Sequence, residues 1–307
     1  MKKNILWSFN PFQNDPLVLK NTVALLRSLS KQLKMAVEPV YVVSPAEVNV
    51  VLEFSIPAKD RFQAVANLEC EKVLKKIKFP GLMKPKILVE NNLRLSASAK
   101  ALAKYAAKSN AFAIVVGTHA KKGLGRFLLG SFAETLLFHA KTPVLLVNPL
   151  MKKPRPLKKA LFSSDLSEAS KKAFDRFSAF LKPLKAKVLL YHLVPKPFPW
   201  AYPATEFLLG ARSQSEKEYL GYVEKENTRK AEAFRKVAKK HGISCEFRLE
   251  TSEENVATTL VSSYKKLAID AIGLAAQTGR LETTLLGSTS RELLRESPIP
   301  IWVLRSP

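Results

Sequence analysis

The chain repeats itself, and the repeat decides most of what it can fold into. Leu128-Leu129-Gly130-Ser131 returns 157 positions later as Leu285-Leu286-Gly287-Ser288. Thr142-Pro143-Val144-Leu145-Leu146-Val147 matches Ile299-Pro300-Ile301-Trp302-Val303-Leu304 at the same offset. Near the start of each half, Asn4-Ile5-Leu6-Trp7-Ser8-Phe9-Asn10 matches Lys159-Ala160-Leu161-Phe162-Ser163-Ser164-Asp165 at an offset of 155. Matching offsets at both ends of each half point to a duplicated supersecondary unit. A length of 307 residues suits two domains. The Pro- and Lys-rich stretch around 149–157 reads as the join. The expected division is therefore domain one at 1–149, a linker at 150–157 and domain two at 158–307.

Each half alternates short apolar runs with helical stretches. Strands are expected near 4–9, 36–43, 84–90, 112–117 and 143–148, with helices near 15–35 and 58–79. The second half repeats the order, with strands near 159–164, 186–194, 244–250, 268–275 and 299–304. These runs are apolar almost throughout rather than alternating, as expected of parallel strands with helices on both faces. Strand–helix alternation then requires right-handed crossovers. The fold class is α/β: two doubly wound, Rossmann-like, five-stranded parallel-sheet domains in tandem.

Composition removes several alternatives. No apolar run approaches the ~20 residues that a membrane span needs, and the apolar start breaks at Asn10-Pro11, too early for a secretory signal. A cytoplasmic location is expected. Cys70 and Cys245 lie in different halves and form neither a disulfide framework nor a metal-ligand spacing. His139, His192 and His241 are scattered, again without metal spacing. The charge is unusual: 50 Lys and Arg against 26 Asp and Glu, a net +24. It is shared between the halves, +13 in residues 1–150 and +11 in the rest, with one dense run at 151–159. Without an aromatic-interleaved basic ladder or a known module, this distribution argues against nucleic acid as the main partner and for a solvated basic surface.

In an open parallel sheet, ligands lie beyond the carboxyl ends of the strands. After the fourth strand come Gly117-Thr118-His119-Ala120, then nine residues, then Gly130-Ser131 leading into a helix that begins Ser131-Phe132-Ala133-Glu134. A glycine-bearing loop running into a helix start offers free amides and a positive dipole end to a phosphate. Ser131 with Glu134 equally fits a capping box that needs no ligand, and Asp165 with Glu168 a capped helix start. Both explanations stay open. His119 lacks a positioned partner in the sequence, so a solvent-facing role is favoured over a catalytic base.

The pattern Gly117-x2-Ala120-x9-Gly130-Ser131 resembles the Gly-x2-Gly-x9-Gly-Ser/Thr loop of the universal stress protein family. Residues 117–147 are similar to that family's carboxy-terminal third, and Ser163-Ser164-Asp165-Leu166-Ser167 is similar to its first strand and Asp-x-Ser turn. The resemblance covers both halves and implies the family's tandem, adenine nucleotide hydrolase-like architecture. It implies ATP, with Mg2+, as the ligand. The residues it designates are Asn10 and Val42 for the adenosine, and Gly117, His119, Ala120, Gly130, Ser131 and Phe132 for the phosphates. In the second half they are Asp165, Gly287 and Ser288. The departures weaken the implied site. Asn10 stands where the family has aspartate. Ala120 replaces a glycine, adding a methyl group and disfavouring positive φ. In the second half Asp165 is present, but Gly273 precedes Gly287 by 14 positions where Gly117 precedes Gly130 by 13. The expectation is a non-enzymatic stress-response or signalling protein with weak adenine-nucleotide binding in its first half. The rivals are a scaffold with vestigial pockets and a basic nucleic-acid binder. Family members pair through the fifth strand, which implies an internal pseudo-dimer of the halves and leaves a further homodimer open. The Pro- and aromatic-rich segment 195–203, with Trp200, is expected to pack between domains or to cover a ligand.

Overall fold

Apolar runs such as Ile114-Val115-Val116 and Leu189-Leu190-Tyr191 can be buried on both sides only in a central sheet, and that is where they lie. The computed structural model describes residues 3–12, 15–43, 56–90, 92, 94–118, 130–151, 155–195, 214–276 and 288–305. The first half comprises β1 (Ile5–Ser8), α1 (Pro16–Leu33), β2 (Val37–Val43), α2 (Ile56–Leu74), β3 (Lys86–Val89), α3 (Leu95–Lys108), β4 (Ala113–Gly117), α4 (Ser131–His139) and β5 (Val144–Val147). The second comprises β6 (Lys159–Ser163), α5 (Glu168–Leu181) with a 3-10 turn at Lys182–Leu184, β7 (Lys187–Pro195), α6 (Gln214–Lys240), β8 (Cys245–Ser252), α7 (Val256–Ser263), β9 (Ala271–Ala276), α8 (Ser288–Glu296) and β10 (Ile301–Arg305).

The strands form one ten-stranded sheet, ordered β3-β2-β1-β4-β5-β10-β9-β6-β7-β8. Every pairing within a half is parallel. The two fifth strands meet antiparallel, Leu146 opposite Ile301 and Leu145 opposite Trp302. Alternate residues of each strand feed opposite layers. Ile5, Trp7 and Phe9 face α1, α2, α5 and α6, whereas Leu6, Val40 and Ile114 face α3, α4, α7 and α8.

The seam between the halves is built around the antiparallel β5–β10 pair. Trp302, fully buried on β10, lies 3.4 Å by ring centroid from Phe180, which also contacts Phe112. Asn148 donates through Nδ2 to the carbonyls of Leu294 and Ser297, closing the end of α8 from the other half. The stretch read as a linker is held at both ends. Asn21 donates to the Met151 carbonyl, and Gln32 exchanges two hydrogen bonds with the Leu157 backbone. Eleven positions on one helix are about three turns, so α1 holds both ends along one side. Met151 and Leu157 are buried. Both described ends of the join are thus tied to the first domain.

Candidate functional site

Strand register superimposes the two halves residue by residue. Leu6 pairs with Ile114 and Leu161 with Ile272; Val144 pairs with Ile114 and Ile301 with Ile272. Gly117 therefore corresponds to Ala275, and Gly273 corresponds to Val115. Gly273 is thus not the start of a loop, as its spacing from Gly287 suggested, but a residue inside β9. A Cβ built there would meet the Phe177 ring at 2.7–2.9 Å. The second half has a large ring from α5 where the first has a strand valine. The same register places Val42 opposite Leu193 and Asn10 opposite Asp165.

In the first half the carboxyl ends of β1 and β4 lie side by side, Ser8 against Val116. Asn10 closes a tight turn just beyond β1, its Oδ1 accepting from the Phe12 amide at 2.9 Å. Its Nδ2 has no partner among the described residues. The β1–β2 ladder ends at Ser8 opposite Val40, with Phe9 donating to the Val40 carbonyl. Val43 turns its carbonyl the other way, to Glu90 on the β3 side. Backbone direction alternates along a parallel strand, so Val42 points its peptide groups to the side β1 has left, beside Asn10. Its side chain is buried. Phe12, 56% exposed, stands edge-on to Tyr41 at 5.8 Å.

Gly117 has a packing reason of its own. A Cβ there would come within 2.6 Å of Val18 Cγ1 on α1. Thr118 next to it is buried, its amide and hydroxyl both reaching the Val147 carbonyl. His119 and Ala120, with the loop to residue 129, lie outside the described residues.

Gly130 is the N-cap of α4, with φ −64° and ψ 151° and no side-chain cap. The first intrahelical bond is Glu134 N–H to the Gly130 carbonyl. The capping box read between Ser131 and Glu134 is therefore absent: Ser131 already occupies the first helical position and is exposed. A side chain at that position cannot reach back to cap its own turn. Phe132 packs its ring partly into the core layer and contributes only its amide to the helix start. The amides of Ser131, Phe132 and Ala133 have no partner among the described residues.

The second half has the opposite arrangement. Ser167, not Asp165, is the N-cap of α5, its Oγ accepting from Ser170 N at 3.2 Å. Asp165 braces the turn from outside, accepting from the Ser167 amide at 3.0 Å and from the Ser170 hydroxyl. Burial works against its charge, but the hydrogen bonds from Ser170 and Ser167 prevail and hold its carboxyl below the ordinary aspartate value. Between them Leu166 adopts φ 59°, a left-handed conformation uncommon for leucine, pinned by its amide bonding Ser164 Oγ. His192 Nδ1 lies 2.7 Å from the Ser164 carbonyl. Ser288 opens α8. Gly287 and the 196–213 segment with Trp200 lie outside the described residues; Pro195 ends β7.

Burial pushes the Cys70 thiol up to about 12 and the Cys245 thiol up to about 11. His241 Nε2 meets Asp175 at 2.9 Å. Among the described residues no three His, Cys, Asp or Glu side chains come together as a metal site, and no helix is long and apolar enough to cross a membrane.

Comparison with known proteins agrees with this geometry. The model of the universal stress protein family matches residues 17–148 and again 156–305. A universal stress protein of Methanocaldococcus jannaschii is 30% identical over 131 residues, covering 42% of this chain and 71% of that one. Among solved structures, a universal stress protein from Archaeoglobus fulgidus superimposes with a TM-score of 0.66 at 15% identity, over 100% of both chains. A functionally unknown protein from Pseudomonas aeruginosa gives 0.58 at 14% identity, over 99% of this chain and 93% of the other.

Proposed function

The chain belongs to the universal stress protein family as a tandem two-domain member, and on that premise we propose that it is a non-catalytic stress-response protein that binds ATP with Mg2+ weakly, in its first domain only. The observation that carries this reading is the uncapped start of α4: three helix-terminal amides with no partner among the described residues. Such a terminus favours an anion through its amides and its dipole. In this reading Gly130, Ser131 and Phe132 hold phosphate through their backbones, and the free Nδ2 of Asn10 and the peptide of Val42 meet the adenosine. Gly117 shapes the site by letting α1 pack closely. The loop with His119 and Ala120 completes it. Residues 150–157 divide the domains, and the cytoplasm is the proposed location.

The second domain supports a different role. Asp165, which the family resemblance assigns to the nucleoside, is already bonded to Ser167 and Ser170. We read this domain, including Gly287 and Ser288, as a vestigial pocket kept for the scaffold.

Isothermal titration of the intact protein with Mg·ATP tests the proposal. A dissociation constant of about 0.1–1 mM is expected, corresponding to roughly −5.5 to −4 kcal/mol. At tenfold excess over that constant the folded state gains about 1.4 kcal/mol, visible as a rise in Tm. Absence of both heat and thermal shift at millimolar ATP removes nucleotide binding. Release of phosphate in proportion to protein removes the non-catalytic part.

A further inference from the structure

The basic charge that looks evenly spread along the sequence is gathered by the fold. Helix α1 carries no acidic residue, and its exposed cations fall at positions 20, 27, 31 and 34. At 100° per residue these lie within an arc of about 60°, so they form one stripe roughly 20 Å long. Arg27 donates to the Lys78 carbonyl and lies over the Phe79 ring, which brings the exposed Lys78 alongside. At its carboxyl end the stripe reaches the seam. The Gln32–Leu157 bonds hold the chain there, so exposed Lys158 follows directly, and the Lys158 carbonyl accepts from the amide of exposed Lys187. The 3-10 turn carrying Lys182 and Lys185 packs against α1 from the other half.

None of Lys31, Lys34, Lys158, Lys182, Lys185 or Lys187 is ion-paired among the described residues. The nearby carboxylates are engaged: Asp270 accepts from the amides of Lys158 and Lys159, and Glu246 pairs with Lys159. Lysines at helix ends complement the helix dipole, and that accounts for Lys31 or Lys182 singly. It does not account for a stripe continued across a domain boundary by a strapped join.

We propose that this seam, from Lys20 along α1 to Lys158, Lys182 and Lys185, binds the phosphate backbone of double-stranded nucleic acid without sequence preference. The shape selects the partner. A row suits a linear polyanion, whose duplex form carries one charge per ~1.7 Å of axis, better than the plane of a membrane. Among the described residues the exposed apolar side chains along this surface are aliphatic, Leu17 one turn from Lys20 and Leu150 in the join. Among those residues it therefore lacks an aromatic platform for stacking single-stranded bases.

The test is fluorescence anisotropy of a labelled 20-base-pair duplex of arbitrary sequence, titrated with full-length protein at several salt concentrations. The expected log–log slope of affinity against salt is about −4 to −5, for roughly five contacted phosphates. The variant Lys34→Glu/Lys158→Glu/Lys182→Glu/Lys185→Glu is expected to bind at least tenfold more weakly at 100 mM salt and with a flatter slope. A control of equal charge change, Lys100→Glu/Lys104→Glu/Lys108→Glu/Lys265→Glu, is placed on α3 and after α7, away from the seam. It is expected to keep most of the affinity. Circular dichroism and Tm establish that both variants fold. Equal losses in the two variants overturn the proposal, because total charge then explains binding. It is also overturned by no binding at 100 mM salt, or by preference for single strands or anionic vesicles over the duplex.

Discussion

The two halves share a strand register but handle the same structural corner in opposite ways. In the first, the turn after β1 leaves Asn10 Nδ2 without a partner among the described residues, and the helix after β4 starts without a side-chain cap. In the second, the turn after β6 is closed by a run of side-chain bonds from Ser164, Asp165 and Ser167, which hold Leu166 in a left-handed conformation. The domain with the better family motif at this turn, an aspartate, is the one whose aspartate is already engaged. Residue identity at a motif position therefore does not by itself give the hydrogen-bonding state of that residue.

The largest effect is expected where the halves traded volume between strand and helix. Gly273→Val restores the side chain that the first half has at Val115, but drives it into the Phe177 ring. Overpacking of this severity costs about 3 kcal/mol, and Tm is expected to fall by roughly 6–12 °C for domains of this size. Adding Phe177→Leu makes room and is expected to recover most of the loss. If the single variant melts like the wild type, the assigned register is wrong.

Next in size is the contact through which each half depends on the other. Asn148→Ala leaves two buried carbonyls at the end of α8 without a donor, at about 2 kcal/mol. Because these bonds cross the seam, one unfolding transition is expected to separate into two, measurable by calorimetry. A single unshifted transition would show that β5–β10 pairing alone couples the domains.

Most strands were readable in the sequence as near-continuous apolar runs bounded by Pro, Gly or charge, and the edge strand β8 as an alternating one; their observed ends fall within a few residues of expectation. The fifth-strand pairing followed from the duplicated Pro-Val/Ile motif together with the family resemblance. Other features depended on atoms distant in sequence. Gly273 looked like a loop glycine until Phe177 was seen across from it. Ser131 looked like a cap because its spacing to Glu134 is right, yet the N-cap is one residue earlier, Gly130. Nothing local in the join shows that Asn21 and Gln32 hold its ends. The basic stripe was half legible: the spacing of Lys20, Arg27, Lys31 and Lys34 is in the sequence, but its continuation through Lys158 and Lys182 exists only across the seam.

A smaller effect tests the engaged aspartate directly. Asp165→Asn gives the second half the residue of the first. The native carboxyl titrates below its unfolded value, so its contribution is present above the unfolded pKa and is lost as pH falls through the folded one. The difference in Tm between wild type and variant is expected to be modest near pH 7, at most about 1 kcal/mol because the group is partly exposed, and to vanish toward pH 3. A difference that persists at low pH would assign the effect to geometry rather than charge.

The smallest effect on stability is expected at Gly130, and there the two readings of the first domain separate. The residue is an N-cap in an extended conformation that alanine adopts freely, and an added Cβ finds nothing within 4 Å. Alanine is nevertheless a poorer N-cap than glycine, so Gly130→Ala is expected to change stability by well under 1 kcal/mol. The space the methyl group would enter lies at the uncapped end of α4, where phosphate is proposed to sit. If ATP occupies it, affinity is expected to fall about tenfold, or ~1.4 kcal/mol, while Tm without nucleotide stays nearly level. If the first domain is a scaffold like the second, neither quantity moves. Gly117→Ala provides the contrast: its Cβ strikes Val18 on α1, so Tm falls whether or not nucleotide binds. A drop in ATP affinity at Gly130 without that loss of stability would locate the anion at the α4 terminus rather than in the packing beneath it.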